Sequence, residues 1–138
     1  MQVLPVPDVA ASRKVGRESV AAMLAVAAAN GRGVLESAWH RSRAVADLAA
    51  LSGNVVEVFC RSDVSTMEAR YRARATTRAA GHFDAVRTVA ELWGEDTIGP
   101  VAGGWPVIAV DTTHPVDVAA LVGSIWAALD GDVPAERC

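Results

Sequence analysis

Arg70, Arg74 and Arg78 recur every fourth residue along one stretch of the chain. On a helix this spacing drifts only about 40° per step, so the three guanidinium groups would form a single row. By the same wheel, Met67 falls inside the arc of the row, Tyr71 and Val64 lie beside it, and Arg72 points elsewhere. The row therefore borders the apolar face of its helix and could face a cleft. Planar guanidinium groups match phosphate oxygens bidentately, and several of them on a closing helix can neutralise a transferring phosphoryl group. A solvated arginine face paired with nearby acids fits the spacing equally well. His82, in Gly81-His82-Phe83-Asp84, follows the row closely enough to touch the same anion, or it belongs to a plain connector between two helices.

Two further clusters carry polar chemistry. Asp111-Thr112-Thr113-His114-Pro115 follows an apolar run, and loops at the carboxyl ends of parallel strands build ligand sites; a tight turn leading into the next helix is the simpler reading. Glu36, Trp39 and His40 offer a carboxylate and an imidazole that could orient an acceptor hydroxyl, or they are ordinary polar loop residues. The phosphate-binding pattern G-x-x-x-x-G-K-[ST] does not occur, and the only lysine, Lys14, is followed by Val15-Gly16. Cys60 and Cys138 are too few for a disulfide framework or a zinc site and read as reduced and structural.

The elements that must position these residues alternate between helical and strand-like patterns, which argues for an α/β fold with parallel strands. A first helix follows Asp8, carries Val20, Met23, Leu24 and Ala27 on one face, and stops at Asn30-Gly31. Gly33 to Ser37 reads as a strand, and a short helix spans about Arg41 to Leu51. Val55 to Cys60 is the clearest strand, with near-continuous apolarity that predicts burial on both faces. The arginine helix is expected from Val64 to Ala80, started by a Ser65–Glu68 capping box and ended by Gly81. Asp84 is expected to cap a helix bearing Val86, Val89, Leu92 and Trp93. Val107 to Val110 forms the third strand. After it, Asp117 caps a helix whose Val118, Leu121, Val122, Ile125, Trp126 and Leu129 make a core face. Trp126→Ala is accordingly expected to cost about 3 to 5 kcal/mol.

With 138 residues, 51% of them hydrophobic, the whole chain is expected to form one domain, and a collagen-like or disordered chain is excluded. No apolar run approaches the roughly 18 residues of a membrane span, and the opening MQVLPVPDVAASRK lacks the pattern of a secretory signal, so a cytoplasmic protein is expected. The net charge of -3 is unevenly spread: Arg61 to Arg87 carries six arginines against Asp63, Glu68 and Asp84, whereas Thr88 to Cys138 carries Arg137 against eight acids. A local arginine cluster in an acidic chain suits a small anion better than an extended nucleic-acid track.

In the order GVLESAWHR, VVEVFCRSD, EARYRARATTRAAGHFD and WPVIAVDTTHPVD, the chain resembles the C-terminal two-thirds of small bacterial P-loop kinases. These are often labelled AAA family ATPase or ATP-binding protein, in the broad class of zeta toxins, chloramphenicol phosphotransferase-like proteins, gluconate kinases and polynucleotide 5′-kinases. Where that class has RHPGH, this chain has Arg78-Ala79-Ala80-Gly81-His82, keeping the Arg, Gly and His. The resemblance implies a three-layer fold with a lid over about residues 62–84. It makes Arg70, Arg74 and Arg78, with His82 beside them, contacts for nucleotide phosphates. It sets Asp111, Thr112, Thr113 and Pro115 beside adenine, and Glu36, Trp39, His40 and Arg41 toward the acceptor. ATP and Mg2+ are implied as cofactors, and transfer of the γ-phosphoryl group to a small-molecule hydroxyl as the activity.

Missing are the family's first strand, its phosphate-binding loop and the acidic residue after the second strand, which supply most of the electrostatic stabilisation in phosphoryl transfer. The resemblance therefore implies that this chain alone is not a competent kinase. Kinases of this class order their strands 2-3-1-4-5, with the phosphate-loop strand in the centre. A chain without that strand is expected to keep a short parallel sheet of about three strands, to be marginally stable, and to self-associate through its open edges. The alternative, from a different functional class, is a non-catalytic binding or regulatory protein that retains an anion site.

Overall fold

The computed structural model describes residues 7–75, 77 and 88–131. Helix α1 spans Val9–Asn30, started by Asp8, whose carboxylate accepts the Ala11 N–H, and stopped at Gly31, which takes a left-handed φ of 68°. An L side chain rarely adopts that conformation, so the Asn-Gly stop is set by backbone sterics. Helix α2 spans Arg41–Ala49, and strand β1 spans Glu57–Arg61. Helix α3 follows at Val64–Ala75, and the short helix α4 covers Val89–Trp93. Strand β2 spans Val107–Asp111, and helix α5 spans Val118–Leu129.

β1 and β2 pair in parallel with Glu57 opposite Val107 and Arg61 opposite Asp111. The ladder is extended at both ends, where Glu57 donates its N–H to the Pro106 carbonyl and Thr112 donates to the Arg61 carbonyl. The α/β class is thus present, with a sheet of two strands among the described residues. The expected third strand at Gly33 to Ser37 does not form there. That segment makes no ladder, and Val34 is 97% exposed. Leu35 within the segment and Trp39 just after it pack instead against a cluster of Ala44, Leu48 and Val101, together with Leu24, Leu51 and Trp105. Apolar packing onto α2 has displaced strand pairing.

Three polar side chains tie the loop after α4 to this cluster. Glu57 accepts from the Val101 N–H at 2.6 Å, the Ala102 N–H at 2.9 Å and the Trp105 indole at 3.1 Å. Asp96 accepts from the Ser42 N–H at 2.7 Å and the Ser42 hydroxyl at 2.8 Å, and thereby caps the start of α2. Arg41 donates its backbone N–H to the Asp96 carbonyl and its guanidinium, twice, to the Pro100 carbonyl. The Trp105 ring lies over Gly103, where a Cβ would meet it at 2.2 Å, so any other residue there would force the ring to move.

Two other starts differ from expectation. α3 is begun by Asp63, not by a Ser65–Glu68 box: the Asp63 carboxylate accepts from Ser65 and Thr66, while Glu68 pairs with Arg72 one turn on. α4 is begun by Thr88 with Glu91 in a reciprocal capping box. The expected continuation of the arginine helix to Ala80 and the Asp84 cap fall outside the described residues. On α5, Asp117 caps as expected, but Trp126 is 62% and Val122 44% exposed, so they are not core. The covered edge of α5 is Leu121, Ile125 and Ala128. Among the described residues no helix is long and apolar enough to cross a membrane.

Candidate functional site

β1 ends at Arg61 and the chain turns within two residues into α3, so the helix starts at the carboxyl end of the parallel strand pair. Its N-terminal turn is locked by Asp63, whose carboxyl is held far below the ordinary aspartate value by the Ser65 hydroxyl first and by the Thr66 hydroxyl and N–H next. β2 ends beside it, and the loop after β2 folds on itself. Asp111 accepts the Thr113 N–H at 2.9 Å, and that bond, with Thr113's side chain and the positive charges of Arg61 and His114, holds the Asp111 carboxyl below its ordinary value.

Arg70 joins the helix to this loop. Its guanidinium donates to the Thr112 carbonyl at 2.8 Å and to the Thr113 carbonyl at 3.4 Å. The Ser62 and Thr113 hydroxyls meet at 3.3 Å below it. The result is an open groove of about 560 Å³, floored by Cys60, Ser62 and Thr112 at the strand ends and walled by Met67, Arg70, Tyr71, Ala73 and Arg74 of α3 and by Trp93 of α4. Tyr71 and Trp93 meet edge to face, centroids 5.9 Å apart. Arg74, one turn beyond Arg70, is exposed and pairs with no carboxylate among the described residues.

The structure thus brings together two of the arginines and the Asp111 to Thr113 loop, which the sequence suggested separately. Arg78 and His82 lie outside the described residues. Pro115 is exposed and is not part of the groove wall. The acceptor-side set is elsewhere and engaged in the fold: Trp39 packs on the Ala44–Leu48–Val101 cluster, Arg41 holds Pro100, and His40 Nδ1 sits 3.4 Å from Asp96. Asp96 itself is held below its ordinary value, chiefly by the Ser42 N–H and hydroxyl, with His40 adding. Glu36 is exposed.

Sequence reasoning placed Met67 and Tyr71 near the arginine row but missed Cys60, Ser62 and Trp93. The i, i+3 spacing of Met67–Arg70 and Tyr71–Arg74 was the available signal for an apolar wall running beside the cations. Cys60, read as structural, is a free, exposed thiol in the groove.

The donor set suits phosphate oxygens. It offers Mg2+ no carboxylate, because none of the groove residues is acidic. Among the described residues no group of three or more His, Cys, Asp and Glu side chains converges as a metal site. Fold and site together define an α/β protein with an arginine-lined groove at the carboxyl end of a parallel strand pair. No protein-family model, no curated protein and no solved structure matches the chain.

Proposed function

We propose that the chain is a kinase-like, nucleotide-binding protein that holds an anionic phosphorylated ligand, ATP by resemblance, in the groove between α3 and the strand ends. The observation that carries this reading is the Arg70 bridge to the Thr112 and Thr113 carbonyls, which fixes the arginine helix against the loop after β2 and leaves Arg74 at the groove with no carboxylate partner among the described residues. A guanidinium aimed into a partly apolar groove loses less to water than one on an open face, so its bond to a phosphate is strengthened.

Binding without phosphoryl transfer is the second reading, and a specific observation favours it: His40 and Arg41, the side chains that would serve an acceptor, are already committed to Asp96 and Pro100. Calorimetry at low salt tests the common premise. ATP should bind, and Arg74→Ala should weaken it about tenfold, the equivalent of one charged hydrogen bond. Unchanged affinity counts against the groove. Turnover of ATP by the chain separates the two readings, since the binding protein produces no ADP.

A further inference from the structure

The resemblance sets the nucleobase beside the Asp111 to Pro115 loop, but the N–H donors of Thr112 and Thr113 are already taken. The Thr112 N–H and hydroxyl both donate to the Arg61 carbonyl, and the Thr113 N–H donates to Asp111. The Thr112 and Thr113 carbonyls accept from Arg70, and the Thr113 hydroxyl meets Ser62. A base seeking an N–H donor from Thr112 or Thr113 would have to displace one of these bonds, and a displaced bond costs about as much as the new one gives.

On the helical wall of the groove, Tyr71 and Trp93 are half-buried, Met67 lies a turn below Tyr71, and Arg74 stands one turn above it. Residues three apart on a helix have their Cβ atoms about 5–6 Å from each other, so a ring against Tyr71 and an anion on Arg74 are within reach of one small molecule. Aromatic and thioether side chains offer stacking and dispersion to a planar ring.

Resting on the reading of the groove as an anion site, we infer that its ligand is a ring-bearing monophosphate bound with its phosphate on Arg74 and its ring against the Tyr71–Trp93 wall, away from the loop after β2. Arg70 is then a positioning residue, holding loop to helix, and Arg74 is the cation that touches the ligand. One guanidinium with no carboxylate partner among the described residues suits one phosphate group better than a chain of three. A volume of about 560 Å³ suits one molecule of nucleotide size.

The test compares adenosine monophosphate with ribose 5-phosphate, which carries the same phosphate and no aromatic base, by calorimetry on the full chain at low salt. Adenosine monophosphate should bind at least tenfold more tightly, both ligands should weaken on Arg74→Gln, and Tyr71→Leu should remove the preference while leaving ribose 5-phosphate unchanged. Because Tyr71 is the only tyrosine of the chain, its ring protons also report directly in the unmutated protein. Nuclear Overhauser contacts should connect them to the adenine H2 or H8 protons. Equal affinities that both depend on Arg74 would overturn the ring site and leave the anion reading standing. Affinities indifferent to Arg74→Gln would overturn the anion reading itself. Overhauser contacts from adenine to the Thr112 or Thr113 methyl groups, with none to Tyr71, would return the base to the loop and overturn the inference.

Discussion

Two regions built from the same kinds of residue behave in opposite ways. Around α2, charged side chains close the structure: Glu57 and Arg41 bind backbone groups of the segment from Asp96 to Ala102, Asp96 binds Ser42 at the start of α2, and Ala44, Leu48 and Val101 are buried among them. Along α3, the arginines open it. Arg70 is spent on one loop, Arg74 has no carboxylate among the described residues, and the helix buries none of its residues fully. Where a charge meets a backbone N–H or carbonyl next to apolar cover, it fastens. Where it meets only solvent and a half-apolar wall, it remains available to a ligand. The α2 corner is therefore the stable part of the molecule and the α3 groove its responsive part.

The largest effect should come from breaking the closed corner. Leu48 is 8% exposed and sits in the cluster that also holds Trp39 and Trp105, so Leu48→Ala should destabilise by about 2 to 4 kcal/mol in urea melts. Glu57→Ala follows, at about 2 to 3 kcal/mol, because it leaves the Val101 N–H without its partner at a site where Val101 is only 4% exposed. A loss below about 0.5 kcal/mol for both would erase the distinction between the regions.

Acid should act on both regions, but through different bonds. The Asp63, Asp96 and Asp111 carboxyls all have folded values below the ordinary aspartate value of about 3.9. A depressed folded value means that the unfolded chain takes up protons first as pH falls. The stabilisation is complete above about pH 4 and is lost on going down through the lowered folded values. The thermal midpoint should thus be flat from pH 7 to 5 and fall below pH 4. Asp96→Ala, which removes the α2 cap, should lower the midpoint at neutral pH and flatten the acid slope. A midpoint that rises on acidification would contradict the sign.

What the sequence disclosed, and what it hid, follows the same division. Signals contained within a few residues were legible: the Asn30-Gly31 stop, the Asp117 cap, and the β-branched and aromatic character around Phe59 and Ile108 each depend on local sterics or local hydrogen bonds. The Val34 segment was misread because a short apolar run says nothing about whether a partner strand lies within reach, and its neighbours Leu35 and Trp39 found packing on α2 instead. Glu57 was passed over as one polar residue in an apolar run. Its role depends on donors 44 to 48 positions away, which spacing cannot show. Ser65 and Glu68 satisfied the pattern of a capping box, but Asp63, two residues earlier, takes the cap with a full charge by accepting from the Ser65 hydroxyl and from the Thr66 N–H and hydroxyl. The arginine row and the loop after β2 were each visible. Their meeting through Arg70 was not, because it is a contact between the ends of two strands brought together by the fold.

The smallest effect is expected where the helical wheel promised one of the largest. Six apolar positions on α5 form an arc about 140° wide, and the wheel alone cannot say which edge of so wide an arc is covered. The structure covers the edge formed by Leu121, Ile125 and Ala128, whereas Val118, Val122 and Trp126, spaced by four, run along the open edge, with Trp126 62% exposed. Truncating a mostly exposed ring removes little buried area, so Trp126→Ala should cost less than about 1 kcal/mol. Ala128 is only 8% exposed, and adding three carbons there by Ala128→Leu forces an overpacked contact worth about 1 to 3 kcal/mol. The chemically larger change should therefore have the smaller effect, and the pair of urea melts reads which edge of α5 is inside. A loss of 3 kcal/mol or more for Trp126→Ala with a neutral Ala128→Leu would show α5 turned by roughly a quarter of a turn, with the tryptophan row against the protein.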